Sequence, residues 1–147
     1  MVIDLKAVPV RTGSGYPAPF HLAAGAREKQ ALGDAGGLTQ FGVNLTRLPP
    51  GAWSAQRHWH HGEDEFVWLL EGELVLITDE GEQTVRAGQA CAFKCGVPNG
   101  HHFVNRSNAV AVYLEVGTRT PGDICEYPDV DLHAIGDEYV HKDGTPY

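Results

Sequence analysis

Residues 51–72, GAWSAQRHWHHGEDEFVWLLEG, constrain this chain more than any other stretch. They place His58, His60 and Glu65 within eight residues, in a run that otherwise has the character of two β-strands meeting at a turn. Side chains two apart on an extended backbone project to the same face, so His58 and His60 point together and Trp59 points away. A turn at His61, Gly62 and Glu63 would return the chain antiparallel and bring Glu65 beside the two imidazoles. Two histidines and a carboxylate form a donor set that holds a divalent transition metal and leaves positions open for water or substrate.

A fourth donor is expected in GVPNGHHFVNRSN, residues 96–108, where His101 opens another strand and Asn105 follows on the same face. His102 has the opposite parity; His101 is the preferred ligand, and a register shift of one residue would exchange the two. Ser54 and Gln56 share the parity of His58 and are expected to line a substrate pocket. Asn105 shares the parity of His101 and is expected to orient a ligand from behind. Trp53 and Trp59 read as packing residues, His21, His61, His133 and His141 as surface histidines, and Glu63 and Asp64 as a solvated acidic turn.

These residues resemble the two motifs of the cupin superfamily. The first, a Gly, His-x-His, a Glu and a closing Gly, reads here as Gly51, His58, His60, Glu65 and Gly72, with one extra residue before His58. The second reads as Gly88, Gly96, His101 and Asn105, with Lys94 where a Pro is usual and two further residues between Gly96 and His101. The resemblance implies an all-β single domain, a cupin jelly-roll barrel or double-stranded β-helix, holding one divalent transition metal ion on His58, His60, Glu65 and His101. Zn, Fe(II), Mn and Ni all accept such ligands, so the sequence does not select among them.

The rest of the chain is consistent with that architecture. At 147 residues, with 42% hydrophobic residues, 20% charged residues and 18 Gly, it is long enough for one core and rich in turns. The expected divisions are an irregular N-terminal arm over 1–37 with at most a helical turn around 26–32, a barrel core over 38–118, and a loop-rich extension over 119–147 with one short strand near 124–127. Within the core, alternation sets in from Leu38, with Phe41, Val43 and Leu45 on one face, and marks another strand over 110–116, where Ala111, Tyr113 and Glu115 share one face. A formal net charge of −8 without clustered Lys or Arg argues against nucleic acid and anionic membranes as partners. Three Cys in no paired pattern, no basic leader and no long apolar run point to a cytoplasmic protein. Residues 66–70 and 74–77 are apolar at every position, so both faces of those strands need cover. A homodimer packed sheet against sheet is expected to supply it.

Function follows from the resemblance. Cupins that carry His-x-His followed by Glu-Asp-Glu-Phe-Val, as at 58–67 here, include sugar-phosphate isomerases. The leading expectation is an enzyme acting on a polar small molecule through a metal that polarises a substrate oxygen. An Fe(II) dioxygenase and a non-catalytic binding cupin are the alternatives. A phosphate site would draw on Arg57, Arg86, Lys94 or Arg106, with Arg57 disfavoured by its outward parity. No catalytic base is identifiable.

Overall fold

Short apolar and β-branched runs, separated by Gly, Pro and Asp, become thirteen strands. The computed structural model describes all 147 residues, Met1–Tyr147. In chain order the strands are β1 (Arg11–Thr12), β2 (Glu28–Ala31), β3 (Phe41–Leu48), β4 (Trp59–His60), β5 (Glu65–Glu71), β6 (Glu73–Thr78), β7 (Gly81–Arg86), β8 (Ala90–Phe93), β9 (His102–Val104), β10 (Ala111–Thr118), β11 (Ile124–Tyr127), β12 (Leu132–Ile135) and β13 (Glu138–Val140). A single helical turn, α1 (Leu32–Ala35), and a 3-10 turn at Leu5–Ala7 are the only helices. No helix is long and apolar enough to cross a membrane.

The strands form a six-stranded sheet in the order β1-β2-β3-β10-β5-β8, a four-stranded sheet β13-β12-β11-β4, and a three-stranded sheet β7-β6-β9. The two smaller sheets are joined by isolated bridges, His58 to His101 and Trp53 to Val104, and together face the larger one. Between the layers, Leu48, Val67, Leu69, Leu74, Val85, Phe103 and Tyr113 make the main core. Burying a Leu or Val side chain in such a core contributes about 1.5–3 kcal/mol each. A second cluster, Cys125, Tyr127, Leu132 and Ala134, is covered by Tyr16 and Phe20 of the N-terminal arm. Gly72 lets β5 turn into β6: its φ is +82°, and a Cβ there would lie 3.0 Å from Ala111 Cα.

Three expectations are corrected. β4 and β5 are not a hairpin: β4 pairs with β11, whereas β5 lies between β10 and β8. The alternation within each segment is as read, but both edges of β5 are taken by distant strands, so 61–64 carries the chain from one layer to the other. The N-terminal arm is not merely irregular, because β2 adds to the sheet by pairing with β3, and the helical turn lies at Leu32–Ala35, after that strand. The C-terminal extension contains three strands, not one, and they form the sheet that β4 joins. Strands of three or four residues broken by Gly and Asp are too short to show a period.

The arm covers part of the large sheet's outer face, where the Gln30 side chain donates to the carbonyls of Leu5 and Val8. It leaves Phe66 and Trp68 on that face 43% and 45% exposed. Leu70 has no partner opposite it in β10, because the register shifts there.

Asn105, expected beside a ligand, is instead fully buried and structural. Its Nδ2 donates to the carbonyls of Leu48 and Ala109 at 2.7 and 2.8 Å, and its Oδ1 accepts from the Ser107 N–H and hydroxyl. All its hydrogen-bonding capacity is used in tying the end of β3 to the β9–β10 connection. Asn105→Ala is expected to lower the unfolding free energy by about 2–4 kcal/mol in urea denaturation, by stranding buried backbone partners, with metal content unchanged.

Candidate metal centre

His58 and His60 approach from the four-stranded sheet side, His101 from the start of β9, and Glu65 from the first position of β5 on the facing sheet. Backbone bonds in both directions between His58 and His101, 3.1 and 2.8 Å long, place the two imidazoles side by side. Glu65 Oε2 lies 2.8 Å from His101 Nε2 and 3.7 Å from the Nε2 atoms of both His58 and His60. The donor atoms of His58, Glu65 and His101 are all within 4.8 Å of one another. Donors about 2.1 Å from a common ion are spaced roughly 3.0–3.4 Å apart, and the 2.8 and 3.7 Å distances from Glu65 bracket that spacing. A further sign of fit is that Glu65 Oε2 is buried with only imidazole nitrogens, and no backbone or hydroxyl donor, facing it.

What holds the rings is equally specific. The His58 Nδ1–H donates to the Gln56 carbonyl at 2.8 Å, and the His60 Nδ1–H to Asp123 Oδ2 at 2.6 Å, which leaves both Nε2 lone pairs facing inward. Asp123 is positioned in turn by the Gly62 N–H, which donates to its other oxygen at 2.6 Å. The His101 ring is stacked on Phe93 at 3.6 Å. His102 faces the other way, with its Nδ1–H donating to the Ala55 carbonyl at 3.0 Å and its ring edge-on to Trp53. The structure thus brings His101, and not His102, to the cluster.

Burial alone would push the Glu65 carboxyl up, but the His101 and His58 imidazoles outweigh it and hold the group well below the usual carboxylate range. Burial also pulls His58 down, yet Glu65 beside it leaves the net shift upward; at His101 burial prevails and the shift is downward. Cys125 has its sulfur within 4.8 Å of a ring nitrogen of both His58 and His60, and burial pushes its thiol up to about 12.

A cavity of about 300 Å³ opens onto the cluster. Ser54 lines it as expected, with its hydroxyl accepting from the Phe103 N–H at 2.9 Å. Gln56 does not: its side chain donates to the Phe20 carbonyl at 2.8 Å and anchors the arm. The opposite wall carries Arg27, Lys29, Asn44, Tyr113 and Glu115, all on the large sheet or its N-terminal lead-in. Arg27 donates to the carbonyls of Ser54 and Gly13, and Lys29 is paired with Glu115. The cations read from sequence lie elsewhere, since Arg57 pairs with Asp79 and Asp129, Arg86 with Glu73, and Arg106 with Glu82. Lys94 lines a second cavity of about 400 Å³ on the far side of Glu65 and His101.

Sequence reasoning missed Asp123, Arg27 and Lys29. Asp123 is 63 residues from its histidine, with no pattern linking the two. Arg27 and Lys29 carried no signal because their segment was not read as a strand. For Glu115 a signal was present, as a charge on the same strand face as Ala111 and Tyr113.

A two-layered β-barrel with a histidine–carboxylate cluster at its open end defines the class of protein. The cupin domain family model matches residues 44–117, and the chain belongs to the cupin family. A solved structure from Silicibacter pomeroyi DSS-3, described as a sugar phosphate isomerase from a cupin superfamily, is 48% identical with a TM-score of 0.96, covering 100% of this chain and 96% of that one. A putative sugar phosphate isomerase from Acidithiobacillus ferrooxidans is 27% identical with a TM-score of 0.75, covering 83% of this chain and 80% of that one. Among curated proteins, the HTH-type transcriptional regulator PuuR of Escherichia coli is 35% identical over 71 residues, 48% of this chain. That match spans only 37% of the regulator's length.

If Asp123 orients His60 for an ion, Asp123→Ala should weaken Zn²⁺ affinity about 10–100-fold in a chelator competition assay, with the β-sheet circular dichroism unchanged. Unaltered affinity would assign Asp123 to loop structure alone.

Proposed function

We propose that this chain is a metal-dependent enzyme acting on a small polar molecule, and that an isomerase of the sugar-phosphate type is the reading that fits best. The observation that carries it is the buried Glu65 Oε2 facing three imidazole nitrogens, at the floor of a cavity whose far wall holds Arg27 and the Lys29–Glu115 ion pair. The 48% identity to the Silicibacter pomeroyi protein over the whole chain supports the reaction class.

A divalent ion held by His58, His60, Glu65 and His101 would supply a Lewis acid that polarises a substrate oxygen. The chain's own groups account for the rest. Asp123 and the Gln56 carbonyl keep the His60 and His58 rings in one tautomer and orientation. Glu65 is assigned as a ligand because its Oε2 is turned to the three imidazole nitrogens that would share the ion. Arg27 stands on the cavity wall with no carboxylate partner, its donors going to the Ser54 and Gly13 carbonyls, and is the cation there suited to a phosphate ester, whereas Lys29 and Arg119 are paired with Glu115 and Asp34.

The test is metal quantitation, followed by an isomerisation assay on aldose and ketose phosphates with each candidate ion. His58→Ala and His60→Ala should each lose most bound metal and all activity while keeping the folded barrel, because the main core contains neither residue. Unchanged metal content in both variants would refute the ligand assignment. Substrate-dependent O₂ consumption with Fe(II) in place of isomerisation would give the site to the dioxygenase alternative.

We also propose that the exposed Phe66 and Trp68 side chains pack against the same face of a second copy. Light scattering after size exclusion should give about 32 kDa, twice the 15.9 kDa of one chain, and the mass of a single chain would overturn this.

A further inference from the structure

Glu115 is a carboxylate on the inward face of β10, where Ala111 and Tyr113 are fully buried. A charge on such a face is costly to desolvate unless it is paired, and its partners here are arranged unevenly. Lys29 Nζ forms an ion pair with Oε1, and Asn44 Nδ2 donates to the same oxygen at 3.1 Å. The other oxygen, Oε2, takes no hydrogen bond from the protein, although the side chain lines the cavity shared with His58, Glu65 and His101.

The register supplies the second observation. Gly117 stands opposite Glu65, and Glu115 lies two residues back along β10, so Glu65 and Glu115 are diagonal neighbours on one face. Such neighbours have backbones about 7–8 Å apart. A small molecule with one oxygen at the donor cluster therefore has its next carbons between the two carboxylates. On the same cavity wall, Arg27 Nε is buried without a hydrogen-bond partner, which favours a polar ligand in this part of the barrel.

From this geometry we infer that Glu115 is the proton-transferring residue of the site, an assignment that rests on the isomerase reading. Oε2 takes the proton from the carbon beside the substrate carbonyl. The C–H electron pair becomes the C=C bond of an enediolate, and the carbonyl π pair moves onto its oxygen. Glu115 returns its proton to the former carbonyl carbon while the hydroxyl proton passes between the two oxygens. One C–H bond breaks, one forms, and no oxidant or reductant is consumed. Lys29 and Asn44 hold Oε1 so that Oε2 is the atom presented to the substrate.

The experiment measures deuterium incorporation from D₂O by NMR with metal-loaded protein. The substrates are glucose 6-phosphate, mannose 6-phosphate, fructose 6-phosphate and ribose 5-phosphate. Metal stoichiometry, thermal midpoint and sugar-phosphate affinity by calorimetry are read on the same samples. The wild-type chain should exchange the proton beside the carbonyl of at least one sugar. Glu115→Gln should slow that exchange by about 100-fold or more, with metal stoichiometry unchanged and affinity within about threefold. Glu115→Asp keeps the charge facing Lys29 but shortens the side chain, and should slow exchange about tenfold or more. Exchange at the wild-type rate in either variant overturns the role of Glu115 and leaves the isomerase reading standing. A metal-loaded wild-type chain that binds and exchanges none of the four sugars overturns both.

Discussion

The two backbone hydrogen bonds between His58 and His101 are the constraint on which the site depends. Together with the bridge from Trp53 to Val104 they join the two smaller sheets, and they bring the side-chain parity of two distant segments into a common frame. A slip of one residue would turn Trp59 and His102 inward in place of the histidines. Once that register is set, the facing sheet needs to contribute only Glu65, which stands at the very start of β5.

The cluster also has to be electrostatically tolerable inside a folded chain. A carboxylate removed from water is unstable alone, but here it is surrounded by imidazoles able to carry the compensating charge. The opposite shifts of His58 and His101 follow from that arrangement, because Glu65 outweighs burial at one ring and not at the other. Asp123 extends the network outward from β11's lead-in, so the C-terminal segment, far from being an appendage, is part of the frame behind the site.

The barrel interior is divided. Leu69, Leu74, Val85 and Phe103 fill one end with a dry core, whereas the other end is lined by Arg27, Lys29, Asn44 and Glu115. The strands that build the core are thus the same strands that carry the polar wall, and along β10 the lining passes from the core residue Tyr113 to the charged Glu115. The division lets the donor cluster stay accessible without loosening the layers that position it.

Much of this was legible in the chain itself. Alternation identified β3 and β10, and parity on two short segments brought His58, His60 and His101 to one face. The hairpin expected at 61–64 shows where local reading ends: spacing says which way a side chain points, not which strand lies beside it. The arm and the C-terminal extension were read as irregular because their strands have two to four residues and acquire their structure only by pairing with β3 and β4. Asn105 shared a parity with His101, yet the Leu48 and Ala109 carbonyls claimed its amide. The sequence by itself determined the fold class, the donor types and their common face, since these follow from the two-residue period of an extended backbone. Only the tertiary structure decided that Asp123, Lys29 and Glu115 stand around that face, because strand pairing between distant segments is set by the packing of the whole barrel.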